Sequence, residues 1–249
     1  MSVVEGRVPI IVAAVSHRGA VRDVNEDALG FASWTLSSSE GGPLRVALLL
    51  DGSMEFMVAD GLGGHRGGTE ASRMAVEAIG SGTGELSARI AAASDAVYER
   101  GVHDPALRGM GTTLAGVRVE PSGHATVFNV GDSRVYRIAD GYLGLLSVDD
   151  RPVDRSADDH GIVTQVLGGA QRTAVDVHES SVMLAAGDRL MLCTDGLSDV
   201  LDDDAISELA AASARPEIAA QALLDAALVE GAPDNVTVVI IDFGGADAG

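Results

Sequence analysis

The chain has 249 residues, and its 17 basic residues, all of them Arg, face 37 Asp and Glu, which gives a formal net charge of −20. So acidic a surface repels phosphate backbones and anionic lipid, which argues against nucleic-acid and membrane partners. With 46% hydrophobic residues the chain can bury a core, so wholesale disorder is excluded. The single cysteine, Cys193, excludes an internal disulfide and a multi-cysteine zinc site.

The apolar stretches are short, and no boundary divides the chain. The longest, 9–15 and 46–50, fall far short of the roughly 20 residues that a membrane-spanning helix needs. The N-terminus has no basic region ahead of an apolar segment, so we expect no signal peptide and a cytoplasmic location. We predict one domain over 1–249, with its core at about 8–243.

Strand patterns are numerous and come in clusters, with helix patterns in pairs between them. Strands are predicted at 10–16, 27–34, 45–50, 54–59, 113–119, 125–130, 134–138, 143–147, 180–184, 189–194 and 235–243, and helices at 68–79, 85–100, 202–213 and 216–230. Asp51-Gly52 predicts a hairpin between the third and fourth strands, because this dipeptide suits a two-residue turn. The clustering favours a layered α+β fold over alternating βαβ units.

Acidic residues recur where the predicted strands end or begin. Asp60 and Asp195 follow apolar strands and precede glycine, and Asp132 follows Val130-Gly131. Near the start, Val24-Asn25 leads to Glu26-Asp27, and near the end Asp234 leads into the strand predicted at 235–243. One Asp-Gly pair is most often a simple turn, as we expect for Asp140-Gly141, but the repetition at strand ends is harder to dismiss. Carboxylates gathered at one sheet edge are the oxygen ligands that Mg²⁺ and Mn²⁺ prefer.

Six motifs in chain order resemble the protein phosphatase 2C (PP2C, or PPM) family of metal-dependent serine/threonine phosphatases, in its compact bacterial form. They are RGAVRDVNED at 18–27, VADGLGGH at 58–65, GTTL at 111–114, NVGDSRVY at 129–136, TDGLSD at 194–199 and DNVT at 234–237. Each motif alone is weak evidence for the family, but their shared order along nearly the whole chain makes the resemblance specific.

The resemblance implies a four-layer αββα sandwich, in which helix pairs flank two antiparallel sheets, with a binuclear Mg²⁺ or Mn²⁺ centre at one end. It implies that Asp60 bridges the ions, that Gly61 contributes its carbonyl, and that Asp195 and Asp234 hold one ion. Glu26 and Asp27 are expected to reach the metals directly or through water. A weaker third-metal site is implied at three carboxylates, namely Asp132, Asp195 and Asp199.

The implied activity is hydrolysis of phosphoserine and phosphothreonine on proteins by a metal-activated bridging water. Two ions can lower the pKa of such a water and neutralise the phosphoryl oxygens. The resemblance pairs Arg22 with the substrate phosphate, which suits a guanidinium fork that grips two oxygens. The alternative for Arg22 is a surface ion pair with Asp23 or Glu26.

Two departures from the family pattern stand out. Leu62 occupies the position where many eukaryotic relatives carry a histidine that acts as general acid, and His65 and His160 are weak substitutes. The flap, at about 148–160, is shorter than usual, and 161–168 resembles the helix and glycine that close it. The identity of the acid and the substrate specificity therefore stay open.

The expected partners are phosphorylated proteins, the substrates of a Ser/Thr kinase, and we expect a monomer. Two alternatives remain: a phosphatase-fold module that binds or regulates partners without catalysis, and a phosphomonoesterase that acts on small molecules. The complete carboxylate set disfavours the first, and the short flap leaves the second open. Cys193 is expected to be a buried small hydrophobe, since the sequence has no Cys-x5-Arg loop.

Overall fold

The structure is a computed structural model that describes residues 6–32, 34–37, 42–64, 66–152 and 162–244. The strands are β1 (Val8–His17), β2 (Ala28–Phe31), β3 (Trp34–Leu36), β4 (Leu44–Leu50), β5 (Met54–Ala59), β6 (Gly61–Leu62), β7 (Gly111–Thr112), β8 (Leu114–Val119), β9 (His124–Val130), β10 (Arg134–Ala139), β11 (Tyr142–Leu145), β12 (Leu167–Gly168), β13 (His178–Met183), β14 (Arg189–Cys193) and β15 (Val236–Phe243). The helices are α1 (Arg66–Ser81), α2 (Leu86–His103), α3 (Asp195–Ser198), α4 (Asp203–Ala211) and α5 (Pro216–Val229), with a 3-10 turn at Pro105–Leu107.

Within the described residues the strands form two six-stranded antiparallel sheets and a small third sheet. The first sheet runs β11-β10-β14-β15-β1-β4, and the second runs β13-β9-β8-β5-β2-β3. The third consists of β12, β7 and β6. Strands β5 and β14, which lead into Asp60 and Asp195, lie inside the two opposed sheets. Their ends can therefore meet across one end of the sandwich.

Apolar faces hold four layers together. Val12 and Leu192 of the first sheet pack with Phe56 and Val127 of the second in a cluster between the sheets. Helices α1 and α2 cover the outer face of the second sheet, and α4 and α5 cover that of the first. The arrangement confirms the predicted αββα sandwich. No helix in the described ranges is both long and apolar enough to span a membrane.

The predicted hairpin across Asp51-Gly52 is wrong. Strand β4 pairs with β1 in the first sheet, whereas β5 pairs with β2 and β8 in the second. The apolar face of β4 and residues such as Phe56 of β5 contribute to the same inter-sheet cluster from opposite sides. An Asp-Gly pair supplies a reversal of the chain but does not fix whether the two strands share a sheet.

Two further segments differ from their predictions. The strand expected at 27–34 is two strands, because β2 and β3 pair antiparallel and the backbone turns at Ala32, whose φ is 51°. The expected closing helix at 161–168 is wrong over the described residues 162–168, where an irregular segment leads into β12. By contrast, Asp140-Gly141 forms the expected turn, with both φ angles positive.

Candidate metal centre

A cleft of about 440 Å³ opens at the end of the sandwich where the acidic strand ends meet. The sequence-predicted residues that line it are Arg22, Glu26, Asp60, Gly61, Asp195, Asp199 and Asp234. Asp27 and Asp132 do not line this cleft and are buried behind it. Residues from distant parts of the chain thus converge on one concave site.

Backbone hydrogen bonds hold Asp60 at the junction of β5 and β6. Thr113 Oγ1 accepts from the Asp60 N–H at 2.9 Å, and the Thr113 N–H donates to the Asp60 carbonyl at 2.9 Å. The Thr112 hydroxyl donates to the same carbonyl at 2.8 Å, and Ser133 Oγ lies 2.7 Å from Thr113 Oγ1. These contacts position the backbone of Asp60 and leave its carboxylate on the wall of the cleft.

Two glycines let backbone segments meet beside the cleft. A Cβ on Gly61 would lie 2.2 Å from the carbonyl oxygen of Gly68, at the start of α1. A Cβ on Gly196 would lie 1.9 Å from the carbonyl oxygen of Asn235. Both distances are well inside van der Waals contact, so neither glycine after its aspartate can be replaced without moving the backbone.

A buried network ties Asp27 to the two strands that bring in Asp195 and Asp234. Thr194 and Thr237 donate hydroxyl hydrogen bonds to Asp27 Oδ2 at 2.9 and 2.7 Å. Asp27 has no exposed surface, and its Oδ1 is buried without a hydrogen-bond partner among the described residues. Through these two hydrogen bonds Asp27 links the end of β14 to β15. Its contact with a metal ion stays a prediction.

Asn235 fastens the loop that carries Arg22 and Glu26. Its Oδ1 accepts from the Glu26 N–H at 2.8 Å, and its Nδ2 donates to the carbonyls of Arg18 and Val24 at 3.0 and 2.9 Å. The motif at 234–237 contained this residue, but sequence reasoning gave it no role. An amide can satisfy one N–H and two carbonyls at once, which an aspartate at the same position cannot do.

Arg22 forms an ion pair with Asp234, which is neither of the two carboxylates expected if it made only a surface ion pair. Its Nη2 donates to Asp234 Oδ2 at 2.6 Å rather than to Asp23 or Glu26, and 51% of its side chain is exposed. The guanidinium is therefore at the cleft, beside a predicted metal ligand, and within reach of solvent. Its contact with phosphate stays a prediction.

Sequence reasoning missed Arg151, which reaches the carboxylates predicted for the third metal. Its Nε donates to Asp132 Oδ2 at 2.7 Å and its Nη1 to Asp199 Oδ1 at 2.6 Å. Its Nη2 lies 3.8 Å from Asp195 Oδ2. In the sequence, Arg151 is notable only as an arginine within the acidic segment 149–159. Its contact with Asp199 could not be predicted, because the two residues are far apart in sequence.

No histidine of the described residues lies at the cleft, and the cysteine is buried in a strand. Leu62, at the family's histidine position, lines the cleft, and no imidazole lines it in the described part of the chain. His65 and His160, like most of the predicted flap, lie outside the described residues. Cys193 is a free, buried side chain in β14, as expected, and burial raises its pKa to about 12.

Burial and mutual repulsion raise the pKa values of the acidic groups at the centre. Loss of solvent raises the pKa of Asp27 and of Asp195 to about 7, and neighbouring carboxylates add to both shifts. The pKa of Asp60 is also well above its usual range, first because it is buried and then because Asp27, Asp195 and Asp234 surround it. Without added positive charge, this arrangement favours protonated carboxyls at neutral pH.

We therefore expect the metal-free protein to become more stable as the pH falls from about 7.5 to about 5.5. The pKa values of Asp27 and Asp195 are about 7 in the folded chain against 3.8 for an unperturbed Asp, so folding binds protons in this window. Stability that is present at low pH is lost as the pH rises through 7. Glu55, whose pKa is lowered by Arg89 and Arg118 despite its burial, titrates below the window.

Thermal melts in EDTA at several pH values test this expected rise in stability on acidification. The melting temperature of Asp27→Asn should depend less on pH than that of the wild type. A melting temperature that falls steadily on acidification over the same range would show that these groups titrate normally.

A sequence profile of the family described as protein phosphatase 2C matches residues 45–230, well over half of the chain. The chain belongs to the protein phosphatase 2C family. Among curated relatives, the serine/threonine protein phosphatase PstP of Mycobacterium tuberculosis is 34% identical over 251 residues, a match that covers 92% of this chain. The chain spans only 44% of the length of that relative.

Solved structures of other family members have the same fold. PppA, a key regulatory component of T6SS in Pseudomonas aeruginosa, superposes with a TM-score of 0.78 at 26% identity, over 95% of this chain and 99% of that one. The catalytic domain of PstP in complex with two manganese ions superposes with a TM-score of 0.75 at 29% identity. That match covers 95% of this chain and all of the PstP domain.

Proposed function

We propose that this chain hydrolyses phosphoserine and phosphothreonine on proteins at a centre of two Mg²⁺ or Mn²⁺ ions. One observation supports this function above all others: Arg22, Glu26, Asp60, Asp195 and Asp234 come from four separate motifs and line a single cleft. A cleft that combines a solvent-accessible guanidinium with several carboxylates suits a phosphate dianion held next to divalent cations. The PstP structure that contains two manganese ions supports the same assignment.

The residues present fit hard divalent ions. The donors are all oxygen atoms, and Asp195 Oδ1 is buried without a hydrogen-bond partner among the described residues. Gly61 lines the cleft, so backbone as well as side-chain oxygens are available there. No ready-made group of three acidic, His or Cys ligands exists in the described ranges, and Asp234 is paired with Arg22. Ion binding therefore needs small side-chain rotations.

The proposed ligands are Asp60, the Gly61 carbonyl, Asp195 and Asp234, with Glu26 and Asp27 acting directly or through water. When bound, the two ions would neutralise phosphoryl oxygens and lower the pKa of a water molecule. Arg22, half-exposed at the rim, would exchange Asp234 for two phosphate oxygens and orient the ester. Because no imidazole lines the cleft in the described residues, solvent is the proposed proton donor to the leaving alkoxide.

The proposed substrates are phosphoproteins made by a Ser/Thr kinase, by analogy with the serine/threonine phosphatases to which the chain is similar. We also propose that the chain acts as a monomer. Hydrolysis assays with phosphoserine and phosphothreonine peptides, beside a set of small phosphomonoesters, test the substrate class. A kcat/KM that is higher for the small esters would favour the small-molecule alternative.

We expect hydrolysis to require added Mn²⁺ or Mg²⁺ and to be lost in excess EDTA, because every proposed ligand is a hard oxygen donor. Activity should return when Mn²⁺ is added back, and the measurement is phosphate release from a phosphopeptide. Full activity in a protein stripped of metal would contradict the proposed centre. No activity at saturating Mn²⁺, with Mn²⁺ bound, would favour the non-catalytic alternative.

A further inference from the structure

Arg151 lies within a triangle of acidic side chains at the back of the cleft. Its guanidinium contacts Asp132 and Asp199 at 2.7 and 2.6 Å and approaches Asp195 to 3.8 Å, each through a different nitrogen. Only 4% of the Arg151 side chain and 1% of the Asp132 side chain are exposed. These are the same three carboxylates that the family resemblance assigns to a third metal ion.

The backbone next to Arg151 is fixed independently of these ion pairs. The N–H of Asp150 donates to the Gly131 carbonyl at 2.9 Å, and the Gly131 N–H donates to Asp150 Oδ2 at 2.8 Å. The carbonyl of Asp150 accepts from the Thr164 N–H at 2.8 Å, and His178 Nε2 lies 2.8 Å from Asp150 Oδ1. Residue 151 is therefore held next to Asp132 by contacts that do not involve the guanidinium.

A guanidinium and a metal ion cannot share this triangle. Arg stays protonated at any pH where the protein is folded, and its planar fork already occupies oxygens of Asp132 and Asp199. A divalent ion at the same oxygens would meet a fixed positive charge a few ångströms away, with little solvent to screen it. Displacing Arg151 would instead leave its charge without its carboxylate partners in a buried position.

We propose that Arg151 permanently takes the place of the third cation, so that the centre binds two divalent ions and no third one. This inference rests on the proposed two-metal function and specifies the stoichiometry of that same site. Arg151 would act as a positioning residue: it keeps Asp132 and Asp199 oriented and leaves Asp195 Oδ1, which has no hydrogen-bond partner in the described structure, for the binuclear pair. It also secures the start of the flap to the metal centre.

The test is the number of Mn²⁺ ions bound per chain, measured by isothermal titration calorimetry and by equilibrium dialysis with metal analysis. We expect two ions for the wild-type protein, and a third, weaker one for Arg151→Ala, in which the three carboxylates are vacated. Arg151→Lys, which restores a positive charge, should return to two. Arg172→Ala is the matched control, because Arg172 also bridges two carboxylates, Asp95 and Glu99, but does so on the surface of α2.

The stability of Arg151→Ala provides a second measurement. We expect its melting temperature in EDTA to be below that of Arg172→Ala, because Asp132 loses its buried partner, and Mn²⁺ to restore it by more than it raises the wild type. If Arg151→Ala fails to fold in EDTA, Arg151→Gln, which removes the charge but keeps much of the side-chain volume, takes its place, and a count of only two ions for that variant would equally overturn the inference.

The outcomes separate this inference from the proposed function. Three ions bound to the wild type, or only two bound to folded Arg151→Ala, would overturn the inference and leave the metal-dependent function intact. A wild-type protein that binds no Mn²⁺ would overturn both. Two ions for the wild type together with three for Arg151→Ala would establish the arginine as the substitute for the third cation.

Discussion

Replacing Asp60 with Asn should lower kcat by at least about 10²-fold at saturating Mn²⁺, since it removes a charged ligand at the proposed centre. Asp195→Asn should have an effect of the same order. Each tenfold loss corresponds to about 1.4 kcal/mol of transition-state stabilisation, and a metal ligand can account for several kcal/mol. Steady-state hydrolysis of a phosphopeptide, measured over a Mn²⁺ titration, distinguishes lost catalysis from weakened binding of the ions.

The fold should survive Asp60→Asn, because the contacts that hold residue 60 are made by its backbone to Thr112 and Thr113. The metal-free variant should even be more stable than the wild type, because one member of a set of mutually repelling carboxyls becomes neutral. Asp140→Asn is the matched control. It makes the same change in another Asp-Gly dipeptide, Asp140-Gly141, which forms an exposed turn where Asn tolerates the positive φ of 52°. Wild-type turnover by Asp60→Asn would show that the centre lies elsewhere.

Much of the fold could be predicted from the local sequence, because the residues that form a strand, its ends and the next turn are close together in the chain. The alternating or continuous apolar runs marked the core strands, and Asp140-Gly141 marked the β10–β11 turn. The carboxylates Asp60, Asp195 and Asp234 could be predicted because each stands where a predicted strand ends or begins, whereas Arg22 is predicted only from the family resemblance. The three carboxylates were therefore expected to lie together, and in the structure all three line one cleft with Arg22.

What local pattern could not specify was which sheet a strand joins. Strands β4 and β5 have the composition of a hairpin, yet β4 pairs with β1 in one sheet, whereas β5 pairs with β2 and β8 in the other. The choice depends on the summed burial between two sheets, where β4 contributes Leu44, Val46 and Leu48. A turn dipeptide contributes little free energy beside that burial, so packing decides the topology.

Two residues of the site were missed for a related reason. The importance of Arg151 and Asn235 comes from partners far away in the chain: Arg151 reaches Asp199, and Asn235 reaches Arg18 and Val24. Nothing in the immediate sequence of either residue reveals those partners. An arginine in an acidic loop and an asparagine before a strand are both common on surfaces, and only the fold brings their polar atoms to these acceptors.

Arg22→Ala should mainly raise KM for a phosphopeptide and weaken inhibition by free phosphate, by roughly tenfold to more than a hundredfold. The loss of a charge-assisted contact of about 1.5–3 kcal/mol accounts for that range. Mn²⁺ affinity should change little, because Arg22 contributes no ligand atom and its loss only frees Asp234 from an ion pair. Steady-state kinetics and calorimetric Mn²⁺ titration of the same preparations measure the two effects separately.

Arg22→Lys should recover only part of the lost affinity, because an ammonium cannot grip two oxygens in one plane. Arg73→Ala is the control for a simple surface pair, since Arg73 bridges Glu70 and Glu77 on α1, away from the cleft, with a comparable exposure. If Arg22 were only such a pair, its removal would cost at most about 1 kcal/mol of stability and leave KM unchanged. An Arg22→Ala enzyme with the wild-type KM and phosphate inhibition would remove this residue from the substrate site. The loop at 18–27 would then serve only to bring Glu26 to the metals.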